Sequence, residues 1–230
     1  EDYAFETEEY PNTAMAAQAL AEGNDTTVAV IASKEVAELY EGLEIVKENI
    51  NDVRLMDRNQ WLLADASKST AIYRAFSPEQ KKQFWHDKFA EVKALDWSDE
   101  SRAHIEKAEA FIQKHYSLFY KTKLSDDDLD ILEGFFYAWQ KYGIEKLGWS
   151  KLTAQSIAAC GYRVLDTQGT VAFPKLAVLA KDYDCNCSRK VASDFCGYDQ
   201  ICKNVGCSMA DFGCGWILLQ DCNGRCVFAE

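Results

Sequence analysis

The chain has 230 residues, 37 of them acidic and 25 basic, for a net charge of −12. Apolar residues at 48% and charged residues at 27% are globular values and exclude wholesale disorder. The average field repels polyanions, so nucleic acid is not an expected partner.

Residues 1–32 are acidic and then Ala-rich, and read as a flexible lead. Residues 33–163 read as a helical domain. Ser33 opens a segment with Val36, Leu39, Tyr40, Leu43 and Val46 on one face. Ser77-Pro78-Glu79-Gln80 is a helix start: Ser77 caps, Pro78 suits the first helical position, and Gln80 can close a capping box. Phe84, Trp85, Phe89, Val92 and Leu95 follow at helical spacing. Ser98 opens a helix carrying Ile105, Ala108, Phe111, Ile112 and Phe119. Ser125, followed by Asp126, Asp127 and Asp128, opens another with Leu129, Leu132, Phe136 and Trp139 as its buried stripe. Ser150 caps a last helix that stops near Gly161. Such helices, joined by short links, pack as a bundle.

Residues 164–181 read as a connector and 182–230 as a separate module, with 4 basic and 7 acidic residues. Eight of the nine cysteines fall in that module: Cys185, Cys187, Cys196, Cys202, Cys207, Cys214, Cys222 and Cys226. There is no Cys-x-x-Cys and no histidine among them, so the spacing favours disulfides over a metal site. A segment this short cannot bury a large apolar core, and bridges worth about 2–5 kcal/mol each would supply much of its order. Spacing alone leaves on the order of a hundred pairings open. Trp216-Ile217-Leu218-Leu219-Gln220 reads as a strand. Asn223-Gly224 then reads as a hairpin turn into Cys226-Val227-Phe228. The expected fold class is mainly α: a helical bundle followed by a small disulfide-rich module with a short β-hairpin.

Four runs of the module carry a resemblance: Asp184-Cys185-Asn186-Cys187-Ser188, Ser193-Asp194-Phe195-Cys196, Gly213-Cys214-Gly215-Trp216 and Cys222-Asn223-Gly224-Arg225-Cys226. With Ser77-Pro78-Glu79-Gln80-Lys81 and Leu124-Ser125, they resemble the bacteriocin fulvocin C-related family. The resemblance implies a secreted bacterial protein with a helical amino-terminal region and an antibacterial cysteine-rich tail.

Disulfides persist outside the cytosol, and the chain begins with Glu1, so an exported protein with its signal removed is expected: extracellular, periplasmic or at the cell surface. Phe212, Trp216, Val227 and Phe228 are the candidate target-contact residues; the same four also suit the module's small core. A net negative module argues against direct attack on anionic membranes. The expected partner is a bacterial surface component, glycan or protein. The alternative to antibacterial activity is a non-catalytic surface or adhesion protein.

No catalytic motif emerges, and neither catalysis, a cofactor nor a metal is expected. Cys160 stands apart as a free thiol on a helix, buried and inert. His104 and His115 lie too far apart along one helix to share a metal, and solvated or locally bonded histidine is expected. Counting from Asp126, the positions that an EF-hand loop fills with Gly and Glu are Ile131 and Tyr137, so calcium is not expected. Trp85, Trp97, Trp139, Trp149 and Trp216 could serve as sugar platforms, though Trp85 and Trp139 suit a core.

Overall fold

In a computed structural model, the described residues are 50–64, 66–121, 123–172, 185, 187–189, 196, 200–204, 206–207 and 210–228. All belong to one unit, Glu48–Glu230. The flexible lead, the helix begun at Ser33 and most of the connector lie outside these residues.

The described chain is mainly helical. Seven α-helices run in order: α1 (Ile50–Leu55), α2 (Arg58–Leu62), α3 (Ala66–Ala75), α4 (Pro78–Lys93), α5 (Asp99–Lys114), α6 (Asp126–Leu147) and α7 (Lys151–Ala158). Side-chain caps fix several of the starts. Ser77 and Gln80 form the expected capping box on α4, and Gln80 Nε2 also donates to the carbonyls of Val53 (2.8 Å) and Met56 (3.0 Å) at the end of α1. One glutamine thus satisfies orphan groups on two helix ends. Ser98 caps α5 and Ser150 caps α7. The helix begun at Ser98 ends at Lys114, and Phe119 belongs instead to a separate 3₁₀ turn, Tyr116–Tyr120.

The core is aromatic. Phe84, Trp85, Phe89, Phe136 and Trp216 are fully or almost fully buried. Trp149 folds back over α6, and a Cβ on Gly143 would lie 2.5 Å from its ring, so only glycine admits that approach.

Beyond α7 the strands are short and pair in twos. β1 (Arg163–Val164) and β2 (Val171–Ala172) are antiparallel, joined by a turn in which Asp166 Oδ1 accepts from the backbone N–H groups of Gln168 and Thr170. β3 (Gln200–Lys203) pairs with β6 (Arg225–Phe228), and β4 (Ala210–Cys214) with β5 (Gln220–Cys222). Four disulfides staple this region: Cys185–Cys207, Cys187–Cys202, Cys196–Cys226 and Cys214–Cys222.

A short hairpin is present, but not across Asn223-Gly224. It is β4–β5, closed through Gly215 to Leu219, and β5 does not pair with β6. Trp216–Leu218, expected as strand, forms a 3₁₀ turn in which Ile217 and Leu218 have φ of 45° and 55°. A β-branched residue in that region is strained, and tertiary contacts must hold it there. The Tyr73 hydroxyl donates to the Ile217 carbonyl at 3.1 Å, and Gln220 Oε1 accepts from Trp216 N–H at 2.8 Å. Gln220 Nε2 also donates to Glu133 on α6.

Candidate functional site

The two ends of α7 mark the two polar constellations of the helical part. At its start lies an open cleft of 170 Å³, lined by Asp96, Trp97, Ser98, Ser101, Trp149, Thr153, Thr167 and Gln168 among others. Three chain junctions meet here: the α4–α5 turn, the α6–α7 turn and the β1–β2 turn. Trp149 Nε1 donates to Ser101 Oγ, and Thr153 Oγ1 donates to the Gln168 carbonyl, which fixes the walls. Asp96 is the one ionisable side chain in this lining. The first turn of α5 carries Asp99 and Glu100, whereas that of α7 carries no acidic residue. The α7 start is closed by Ser150, whose hydroxyl accepts from the Thr153 N–H.

Past the other end of α7 is a closed cationic cluster. Arg58 on α2 is 3% exposed, donates to the Gly161 carbonyl from Nε (3.2 Å) and Nη2 (3.1 Å), and pairs with Glu91 at 2.9 Å. Arg163 meets the same carboxylate at 3.2 Å. Lys88 is fully buried and donates to the Tyr162 carbonyl. Burial pulls its ammonium down to about 8. These cations meet the carbonyls that follow the helix, where positive charge is favourable. Cys160 sits beside them, buried, with its thiol pushed up by burial despite Lys88 and Arg58 nearby. A nucleophilic cysteine needs the opposite shift and access to solvent.

The histidines do other work. His104 Nε2 lies 2.8 Å from the Trp139 carbonyl, while Trp139 Nε1 donates to the His104 carbonyl at 2.8 Å. The imidazole stacks on that indole, and burial lowers its proton affinity; it is buried, not solvated. His86 is exposed and faces Glu109, and His115 stacks on Phe111. Asp128 closes the cap of α6, accepting from Ser125 N–H (2.9 Å) and Oγ (2.6 Å) and from Lys121 (2.6 Å).

Of the four candidate contact residues, Trp216 is in the core, as the alternative reading had it. Trp216 is 0% exposed and stacks on Phe136 of α6, with ring centroids 4.9 Å apart. Val227 is half-buried and Phe228 exposed on β6; Phe212 lies in β4, its side chain outside the described set. A sugar platform at the tryptophans is also overturned, since Trp85, Trp97, Trp139, Trp149 and Trp216 are all buried. The Sγ atoms of Cys187, Cys196 and Cys226 lie within 4.8 Å of one another, but each is bonded in a disulfide and offers no thiolate.

The cleft residues escaped the sequence reading. Ser98 and Ser150 were legible as helix caps, but no local signal brings Asp96, Thr153, Thr167 and Gln168 together.

Comparison with known proteins gives one partial likeness. A family model described as prephenate dehydratase matches residues 2–68, under a third of the chain. No curated protein and no solved structure matches. The match overturns the resemblance to the bacteriocin fulvocin C-related family and, with it, the antibacterial and surface-adhesion readings. It also overturns the expectation that the chain is not an enzyme.

Proposed function

We propose that the chain is an enzyme that removes water from a small organic acid of the prephenate class. The observation that carries this reading is the family-model match over residues 2–68. The described end of the matched segment is packed into the helical part. Arg58 reaches Gly161 and Glu91, the Trp61 indole donates to the Ser69 carbonyl at 2.7 Å, and Gln80 holds the carbonyls that end α1.

Among the described residues, the open cleft at the start of α7 is where we place such a substrate. Its lining includes the hydroxyl-bearing Ser98, Ser101, Thr153 and Thr167, which suit a small hydroxyl-bearing ligand. Four bridges favour work in an oxidising compartment.

The test is consumption of prephenate by the oxidised full chain, followed by NMR. Turnover is expected. No consumption by the wild-type protein overturns the reading.

A further inference from the structure

Two of the four bridges crowd together. Cys187 is bonded to Cys202, and Cys196 to Cys226, yet the Cys187 sulfur lies within 4.8 Å of both Cys196 and Cys226 sulfurs. The backbone imposes this. Cys202 and Cys226 are direct partners across β3–β6. Cys187 bridges to Gly224: its N–H donates to the Gly224 carbonyl (3.1 Å), and its carbonyl accepts from the N–H groups of Asn223 and Gly224 (3.0 Å each). A Cβ on Gly224 would lie 2.6 Å from Cys202 Sγ, so the glycine is what lets the sulfurs gather. The Asn-Gly pair that does not make a hairpin turn instead seats Cys187 beside the second bridge.

Access sets the Cys196–Cys226 bridge apart, whereas Cys187 is buried and Cys202 half-buried, as Cys185 and Cys207 are. Cys196 and Cys226 are both only half-buried. Cys185, Cys214 and Cys222 form a buried sulfur core with Cys207 packed against it. Of the basic residues here, the Arg189 stem packs beside Gly224, while Lys203 and Arg225, next in their strands to Cys202 and Cys226, point to the other face of β3–β6.

We propose that Cys187, Cys202, Cys196 and Cys226 form a thiol–disulfide exchange site that reacts with an external thiol. The external thiolate attacks the Cys196–Cys226 bond, forming a mixed disulfide with one of the two sulfurs and leaving the other as a thiolate. That thiolate attacks Cys187, forming a new bridge from Cys187 to Cys196 or Cys226 and releasing Cys202 as a thiolate, which takes a proton from solvent. A second external thiolate then attacks the mixed disulfide, leaves as the oxidised dimer of the external thiol, and frees the remaining protein cysteine. The net change is two electrons from two external thiols into one protein bridge, while the second bridge changes partners.

Limited reduction of the full chain with reduced glutathione, acid quenching, alkylation and peptide mapping tests this. Cys187 bridged to Cys196 or Cys226, with Cys202 alkylated, is expected. Cys185–Cys207 and Cys214–Cys222 should open on the order of tenfold more slowly. Reduction without re-pairing, or opening of a buried bridge first, overturns the proposal. Cys202→Ser gives a second reading: its odd thiol should be found divided among Cys187, Cys196 and Cys226, and alkylation confined to Cys187 counts against exchange. If that variant does not fold, the wild-type map decides alone.

Discussion

A buried lysine without a buried carboxylate touching its nitrogen is unusual enough to leave a signature in stability. Lys88 is 0% exposed and its ammonium is pulled down to about 8, chiefly by burial, with Arg58 adding to the effect and Cys160 and Glu91 opposing it. An unfolded lysine titrates near ~10.4. Between those values the unfolded chain holds the extra proton, so stability rises with pH through that window. Lys81, also pulled down to about 8 by burial, adds to the rise. Cys160 works against it, because its raised thiol stays protonated in the fold after an unfolded thiol, near about 8.5, has lost its proton. Comparing wild type with Lys88→Met in urea reads the lysine together with its charge coupling to Cys160, since Lys81 is common to both. From about pH 7 to pH 11 the wild type should gain about 3 kcal/mol on the variant. A difference that does not move with pH would mean that Lys88 reaches water in the folded state.

Helix starts carry the most local information, and α6 shows why. Ser125 caps it, and Asp128 returns the bond to Ser125 while holding Lys121. These contacts hold the Asp128 carboxyl down at about 2, Lys121 contributing most. Its stabilisation is therefore present above the ordinary aspartate value near ~3.9 and is lost as pH falls towards 2. Ser125→Ala should cost about 1 kcal/mol at neutral pH, and the advantage of wild type over Asp128→Asn should disappear at the acid end of that window. A Ser125→Ala protein as stable as wild type would show the cap to be idle. Caps such as Ser77, Ser98, Ser125 and Ser150 were legible because each acts within three residues of itself. Asp57-Arg58-Asn59-Gln60 carries the same signal and went unread, although it forms a full capping box on α2. The strand expected at Trp216–Gln220 failed for the opposite reason. Its apolar run is sound strand material, but the Tyr73 hydroxyl, the Phe136 ring and Gln220 hold it in a turn. The cleft was illegible on the same grounds, since its walls come from three distant junctions.

At the scale of the whole molecule, the stapled region and the helices share a core. Trp216, in the β4–β5 loop, stacks on Phe136, stands edge-on to Trp139 and is fully shielded from water. The Trp85 indole donates to the Tyr73 hydroxyl, which donates to Ile217, so a line of hydrogen bonds runs from α4 through α3 into the stapled loop. Gly215, with φ of 65°, leaves room for the Gln220 amide, whose oxygen would lie 1.9 Å from a Cβ there. The Cys214–Cys222 bridge closes this loop across only eight positions, so it restricts the unfolded chain less than a longer loop would. Removing the indole should therefore weaken the helices, not only the loop. Trp216→Ala is expected to cost about 3–5 kcal/mol and to lower the helical melting temperature by roughly 10 °C, read by far-ultraviolet circular dichroism on oxidised protein. The four bridges should stay intact in that variant, which peptide mapping checks. A helical melt that is unmoved while the bridges persist would mean that the stapled loop only rests on the bundle, and that the shared aromatic core contributes nothing to its cooperativity.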